Sequence, residues 1–199
     1  MPKQLGIHEY TIYLDKVTHI DAIVIDEAGT PIPAAQCLFL RTNNSGTDSF
    51  TKTTDEQGKL HLPFFAGQIA LSLTAKGFAR QTIELGNLST PPERLAITLT
   101  RGRTGYGQLW AENGQPIPNA TIRILATREG LPSILANSSQ TLIDDETTTN
   151  EQGQFTTNSL APDRNYQLRI TSDGKELEFE DSTFSLKQSP RNITCKSPQ

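Results

Sequence analysis

Short stretches of alternating apolar and polar side chains run along this chain, separated by clusters of Gly, Pro, Asn, Asp, Ser and Thr. A period of two with turn residues between predicts strands. The first lies over Gly6 to Leu14, where Ile7, Tyr10, Ile12, Tyr13 and Leu14 mix with polar neighbours. Ile20 to Ile25 is next and is apolar on both faces, with Ala22 and Val24 on one side and Ile23 and Ile25 on the other. Such a strand needs cover on both sides, and the N-terminal segment is expected to supply some of it as an added strand or strap. Further strands are predicted at Gln36 to Arg41, Lys59 to Leu62, Gln68 to Ala75 and Arg94 to Thr100, with Thr42 to Asp48 as a polar loop.

The pattern then repeats. Gly29-Thr-Pro31-Ile32-Pro33-Ala-Ala35 returns as Gly114-Gln-Pro116-Ile117-Pro118-Asn-Ala120, each between two apolar runs. Gly suits a turn with φ above zero, and the prolines fix φ near about −65° and withhold donors. A second turn, Asp55-Glu56-Gln57-Gly58, returns as Asn150-Glu151-Gln152-Gly153. The spacing is 85 residues from Gly29 to Gly114 but 95 from Gly58 to Gly153. The second copy therefore carries an insertion, which enlarges one loop over residues 128–147. In the second copy, strands are expected at Tyr106 to Ala111, Gln154 to Thr156, Asn165 to Thr171 and Arg191 to Cys195.

The domain reading is a strand or strap over 1–16, a first β-sandwich over 17–101 and a second over 102–199. The linker, Arg101 to Gly105, is too short for free tumbling. The fold class is all-β: two tandem Ig-like or prealbumin-like Greek-key sandwiches with an extra N-terminal strand.

Ala22-x-Val24-x-Asp26, Gly29-x-Pro31-Ile32-Pro33-x-Ala35, Thr54-Asp55-x-x-Gly58-x-Leu60 and Gly77-Phe78 together resemble the carboxypeptidase regulatory-like family, related in shape to transthyretin and to B-type repeats of bacterial surface proteins. The second copy matches at Gly107-x-Leu109, Gly114 to Ala120, Asn150-x-x-Gly153-x-Phe155, Leu160-x-Pro162 and Tyr166-x-Leu168. It departs where Ala111 replaces Asp26 and where Gly174-Lys175 replaces Gly77-Phe78. The resemblance implies a non-catalytic module used as a spacer, stalk, folding aid or carbohydrate- or protein-contacting appendage in larger, often bacterial, proteins.

Charge excludes one class of partner. With 18 basic and 22 acidic residues the formal charge is −4, without the basic footprint of a nucleic-acid binder. No stretch approaches the ~20 apolar residues of a membrane span, so no direct membrane insertion is expected. The compartment is left open: cell surface or secreted for a fragment of a larger protein, cytoplasmic for a chain complete as written. Cys37 and Cys195 fall in different copies and are expected as buried or partly buried free thiols.

No catalytic constellation is present in the sequence. His8, His19 and His61 have no shared metal spacing, and there is no Gly-x-Ser-x-Gly elbow or phosphate-cradling loop. The transthyretin-like hydrolases of purine breakdown end in Tyr-Arg-Gly-Ser, which the tail lacks. A Lys–Asn isopeptide bond, as in some surface repeats, finds Lys16 without an acceptor in the first copy and Asn192 without a donor in the second. Asp144-Asp145-Glu146 and Glu176, Glu178, Glu180 could collect calcium, but the latter alternate with Leu177 and Phe179 as on a half-exposed strand. No metal or cofactor is assigned.

Two groups are candidate partner-binding residues. Tyr106 and Trp110 should share an outward face opposite Leu109, available for stacking a sugar, docking a partner or packing against the first module; the last is favoured. Leu131, Ile134, Leu135, Asp144 and Asp145 belong to the enlarged loop, expected to be presented to a protein partner. The leading function is a structural or protein-interaction module. The alternatives are a carbohydrate-binding module and an appendage of a secretion or phage-like spike assembly.

Overall fold

A computed structural model describes residues 18–188 and 191–195. The strand predicted over residues 6–14, and with it the proposed strap and Lys16, lies outside the described residues.

The period-two segments become two sandwiches of the same plan. In the first, β1 (His19–Asp26) lies between β4 (Lys59–Pro63), antiparallel, and β7 (Leu95–Leu99), parallel. The facing sheet runs β3 (Gly46–Thr53), β2 (Gln36–Asn43), β5 (Gly67–Thr74), β6 (Gln81–Leu88), antiparallel throughout. Ile20, Val24, Leu62 and Ile97 from one sheet meet Cys37, Phe39, Ile69, Leu71 and Leu73 from the other. β3 and β6 were not legible in the sequence. β3 is exposed apart from Phe50, which packs on the core, and in β6 the alternation of the core-facing Ile83 and Leu85 is cut short by a bulge at the positive-φ Gly86.

The second sandwich repeats the plan. β8 (Arg103–Ala111) lies between β11 (Gln154–Leu160), antiparallel, and β15 (Arg191–Cys195), parallel. The facing sheet runs β10 (Ile143–Thr148), β9 (Thr121–Ala126), β12 (Tyr166–Ser172), with two-residue strands β13 (Lys175–Glu176) and β14 (Thr183–Phe184) both paired to β12. The predicted strand around Glu176 to Glu180 keeps its alternation, with Leu177 buried and Phe179 half-buried, but its ladder on β12 is two residues long.

The duplicated turns are alike in hydrogen bonding. Thr54 Oγ1 accepts the Ala35 N–H at 2.9 Å and donates to the Ile32 carbonyl at 2.8 Å; Thr149 does the same for Ala120 and Ile117 at 2.9 and 2.8 Å. Asp55 Oδ1 accepts the N–H groups of Gln57 and Lys59, and Asn150 Oδ1 those of Gln152 and Gln154. Only glycine fits the close approach here: a Cβ on Gly58 would sit 2.6 Å from the Val24 carbonyl, and one on Gly153 2.5 Å from that of Leu109. Where the copies differ, the bonds differ. Asp26 Oδ1 accepts from Ala28 and Thr30, whereas Ala111 has no such oxygen and Asn113 Oδ1 takes the Gln115 N–H instead.

Both thiols are buried and free. Cys37 lies among the core residues of the first sandwich and Cys195 among those of the second.

Candidate functional site

The insertion does not stand away from the chain. After β9 the backbone passes Pro132 and makes a single helical turn, α1 (Ser133–Ala136), whose Ile134 and Leu135 are buried. They pack with Leu40 and Ala70, and the half-buried Leu38 and Leu131 complete the cluster. Leu40 and Ala70 point outward from β2 and β5, away from the core side chains Phe39, Ile69 and Leu71. The outer face of one sheet of the first module is thus covered by the insertion of the second. Arg128 holds the turn by donating to the carbonyls of Ala136 and Ser138, the latter at 2.8 Å, and Gln140 Nε2 reaches Ser49 Oγ at 3.1 Å.

A buried ion pair lies beside this cluster. Arg80, in the first module, donates from Nε to Asp144 Oδ1, from Nη1 to Ser72 Oγ at 2.6 Å and from Nη2 to the Ile143 carbonyl at 2.7 Å. Both side chains are almost fully out of water, 5% and 1% exposed. Asp144 Oδ2 has no hydrogen-bond partner. Burial pushes the Asp144 carboxyl above the usual carboxylate range, against the opposing pull of the Arg80 charge and its hydrogen bond. Such a pair adds little net stability but is costly to break from one side.

The linker adds backbone contacts. Gly102 N–H donates to the Gly77 carbonyl at 2.9 Å, Gly77 N–H to Ser159 Oγ at 3.3 Å, and Arg101 stacks over Phe78 at 4.5 Å. A Cβ on Gly102 would meet the Asn158 carbonyl at 2.5 Å, so this crossing needs a glycine.

The structure therefore separates the candidate residues. Leu131, Ile134, Leu135 and Asp144 lie at the junction between the modules. Asp145 turns the other way: Oδ2 accepts from Thr157 Oγ1 and from the Asn158 N–H at 3.1 Å, tying β10 to β11 across the sandwich edge. Glu146 pairs with Arg123 at 2.6 Å. The three consecutive acids thus have three different partners, and no group of three or more metal-ligating side chains occurs among the described residues. Arg80 was missed in the sequence. Its signal was weak, a lone Arg following a turn with nothing nearby to mark it as buried.

Tyr106 and Trp110 lie elsewhere, on the outer face of the sheet β11-β8-β15, as their register with Leu109 predicts. Tyr106 is 52% exposed and Trp110 half-buried. The favoured expectation, Trp110 packed between modules, meets a junction built from β10, the β9–β10 connection, the end of β11 and the linker instead.

Residues 106–193 match the carboxypeptidase regulatory-like domain. The matched segment runs from within β8 to within β15 and so takes in nearly all of the second module. No curated protein matches the chain. Among solved structures, the shaft pilin SpaA from Lactobacillus rhamnosus GG aligns over 92% of this chain and 99% of its own, at 9% identity and a TM-score of 0.34. A streptococcal ancillary pilin aligns over 92% of this chain and 62% of its own, at 12% identity and a TM-score of 0.37. A putative adhesin from Bacteroides ovatus aligns over 98% and 99%, at 11% identity and a TM-score of 0.37. Among the described residues no helix is long and apolar enough to cross a membrane.

Proposed function

We propose that the chain is a non-catalytic structural unit, two sandwich modules clamped into one rigid spacer for a larger assembly. The observation that carries this reading is the inserted turn α1, which places Ile134 and Leu135 on the outward Leu40 and Ala70 of the other module beside the buried Arg80–Asp144 pair. A spacer must hold its two ends in fixed relation, and a tandem joined only by a short linker would bend. Here an apolar cap, a desolvated ion pair and a packed linker glycine act on the same joint. In this reading Leu131, Ile134, Leu135 and Asp144, four of the five loop residues expected to meet an outside partner, act as an internal clamp, so the spacer reading is preferred to an adaptor acting through that loop.

The test is rotational diffusion by 15N relaxation on the whole chain. One correlation time shared by both modules is expected, with separate and shorter times in Leu135→Asp, which places a charge in the apolar cap. Independent tumbling in the unaltered chain refutes the proposal.

A further inference from the structure

The two sandwiches are closed differently along one side. On the other side the facing sheets are joined in both copies, by Asp145 across β10 and β11 in the second and by the connection from β3 to β4 in the first. The side in question lies at the far ends of the sheets, where β6 faces β7 in the first copy. In the second copy the chain after β12 closes it: β13 and β14 pair with β12, and between them Phe179 forms an antiparallel bridge to Cys195 of β15. Leu177 and Phe184 are buried there, with Phe179 packed against the same core. The first copy has no such crossing among the described residues. There β6 is hydrogen-bonded to β5 alone and β7 to β1 alone. Ile83, Leu85 and Leu88 of β6 and Leu95 of β7 pack against the core yet stay partly exposed.

One stretch outside the described residues has the pattern to close this side. In residues 6–14 the even positions 10, 12 and 14 are Tyr, Ile and Leu, whereas the odd ones mix Ile7 and Tyr13 with Glu9 and Thr11, and no proline interrupts them. The segment has to arrive at the start of β1. A strand made from it therefore runs against β1, and against β7, which is parallel to β1. Leu95 stands opposite Ala22, three residues past His19 where β1 begins. A place beside Leu95 is two strand spacings sideways and three residues along from His19, about 14 Å, and the five residues from Leu14 to His19 reach about 17 Å when extended. The connection is long enough, with little slack. It carries Asp15 and Lys16 past the exposed Glu93 and Arg94, one acid and one base on each side.

We propose that residues 6–14 add a fourth strand to the free edge of β7, antiparallel, with Leu14 opposite Leu95, Ile12 opposite Ile97 and Tyr10 opposite Leu99. Residues directly opposite on an antiparallel ladder share a face, so this register sends Tyr10, Ile12 and Leu14 to the core side with the buried Ile97 and Leu99, over Ile83, Leu85 and Leu88. The outer face then sets Tyr13 opposite Ala96 and Thr11 opposite Thr98, both exposed. A slip of one residue would turn Glu9 and Thr11 inward, which burial of an unpaired carboxylate opposes. The same segment of a second copy offers the same side chains, but the short tether holds this chain's own segment at a far higher effective concentration.

The test uses the whole chain labelled with 13C and 15N and reads nuclear Overhauser contacts, so it does not depend on any variant folding. Contacts from residues 10–14 to residues 95–99 in the stated register are expected. Ile12→Asp should speed exchange of the β7 amides about tenfold or more, and the outer-face Tyr13→Asp should leave them within about twofold. A sample mixed from labelled and unlabelled chains identifies the donor: contacts within one chain support the proposal, and contacts between chains overturn it in favour of strand exchange between copies. It is also overturned if residues 10–14 make no contact with β7, if the ladder runs parallel or turns Glu9 inward, or if Ile12→Asp leaves exchange in β7 unchanged.

Discussion

Replacing Asp144 with Ala removes one partner of an ion pair whose side chains are 5% and 1% exposed. Breaking a buried pair from one side typically costs about 3–5 kcal/mol, because a charge is left out of water without its counter-ion. Arg80 would keep Ser72 Oγ at 2.6 Å and the Ile143 carbonyl at 2.7 Å. Those contacts place the expected loss at the lower end, about 3 kcal/mol. With a urea m-value of about 2 kcal/mol/M, this is a midpoint lowered by about 1.5 M. The double variant Arg80→Met with Asp144→Leu removes both charges and keeps apolar volume, and should return to within about 1 kcal/mol of the parent. Urea unfolding followed by Trp110 fluorescence and by circular dichroism measures both. If Asp144→Ala shifts the midpoint by less than about 0.3 M, or the double variant is as unstable as the single one, the pair does not couple the modules and the clamp argument fails.

Other consequences are more local. Thr54→Val and Thr149→Val should each cost about 1–3 kcal/mol in thermal or urea unfolding, since each leaves a buried N–H and a carbonyl without its hydroxyl partner; a loss in only one of them would break the equivalence of the two turns. The Asp26 carboxyl is held below its ordinary value of 3.8, first by the Thr30 backbone N–H and also by that of Ala28. Its contribution is therefore present above that value and lost as pH falls through the lower folded one, and a carboxyl 13C titration midpoint at or above 3.8 would contradict the turn geometry. Burial pushes the Cys37 thiol up to about 12 and that of Cys195 to about 11. Ellman's reagent at pH 8 should count no thiols in the folded chain and both after denaturation; prompt labelling of the folded protein would show that a core opens.

Asp144 titrates in the opposite sense to Asp26. Its folded value is raised by burial, so between the ordinary carboxylate range and that raised value the folded chain holds a proton that the unfolded chain does not. The contribution of this group to stability accordingly falls as pH rises across the window. Acid thus weakens the first turn while favouring the carboxyl at the junction. That contrast separates the two sites by pH alone.

The parts legible in the sequence were those with a local cause. A turn that needs φ above zero, such as Gly29 at 81° and Gly114 at 77°, has to show a residue that tolerates it. The outward register of Tyr106 and Trp110 follows from the two-residue period once Leu109 is placed in the core. The insertion was visible as a change of spacing, and its apolar residues were visible too. What covers them was not, because Ile134 and Leu40 are 94 residues apart and neither names the other. The hint was in β2, where Cys37-Leu38-Phe39-Leu40 is apolar on both faces, as Ile20 to Ile25 is. A strand of that kind states that cover exists without stating its source.

The two departures from the repeat answer each other physically. A tandem of small sandwiches exposes an apolar outer strand face on the first copy unless something covers it, and the second copy supplies the cover through a ten-residue excess between Ala120 and Gly153. The excess leaves from β9 and returns through β10, both in the sheet that packs across the core from β8. Had the insertion grown from β8 or β11, it would have crossed the outer face that carries Tyr106 and Trp110. Because sheets in a sandwich present their outer surfaces in opposite directions, the clamp and the aromatic face occupy different sides of the second module. A substitution in one should therefore leave the other unchanged: Leu135→Asp should free the modules without altering the Trp110 fluorescence of the folded chain, and Tyr106→Ala should leave the shared correlation time of the two modules as it is. A change in both readouts in either variant would mean that the aromatic face depends on docking, and the two regions would have to be treated as one.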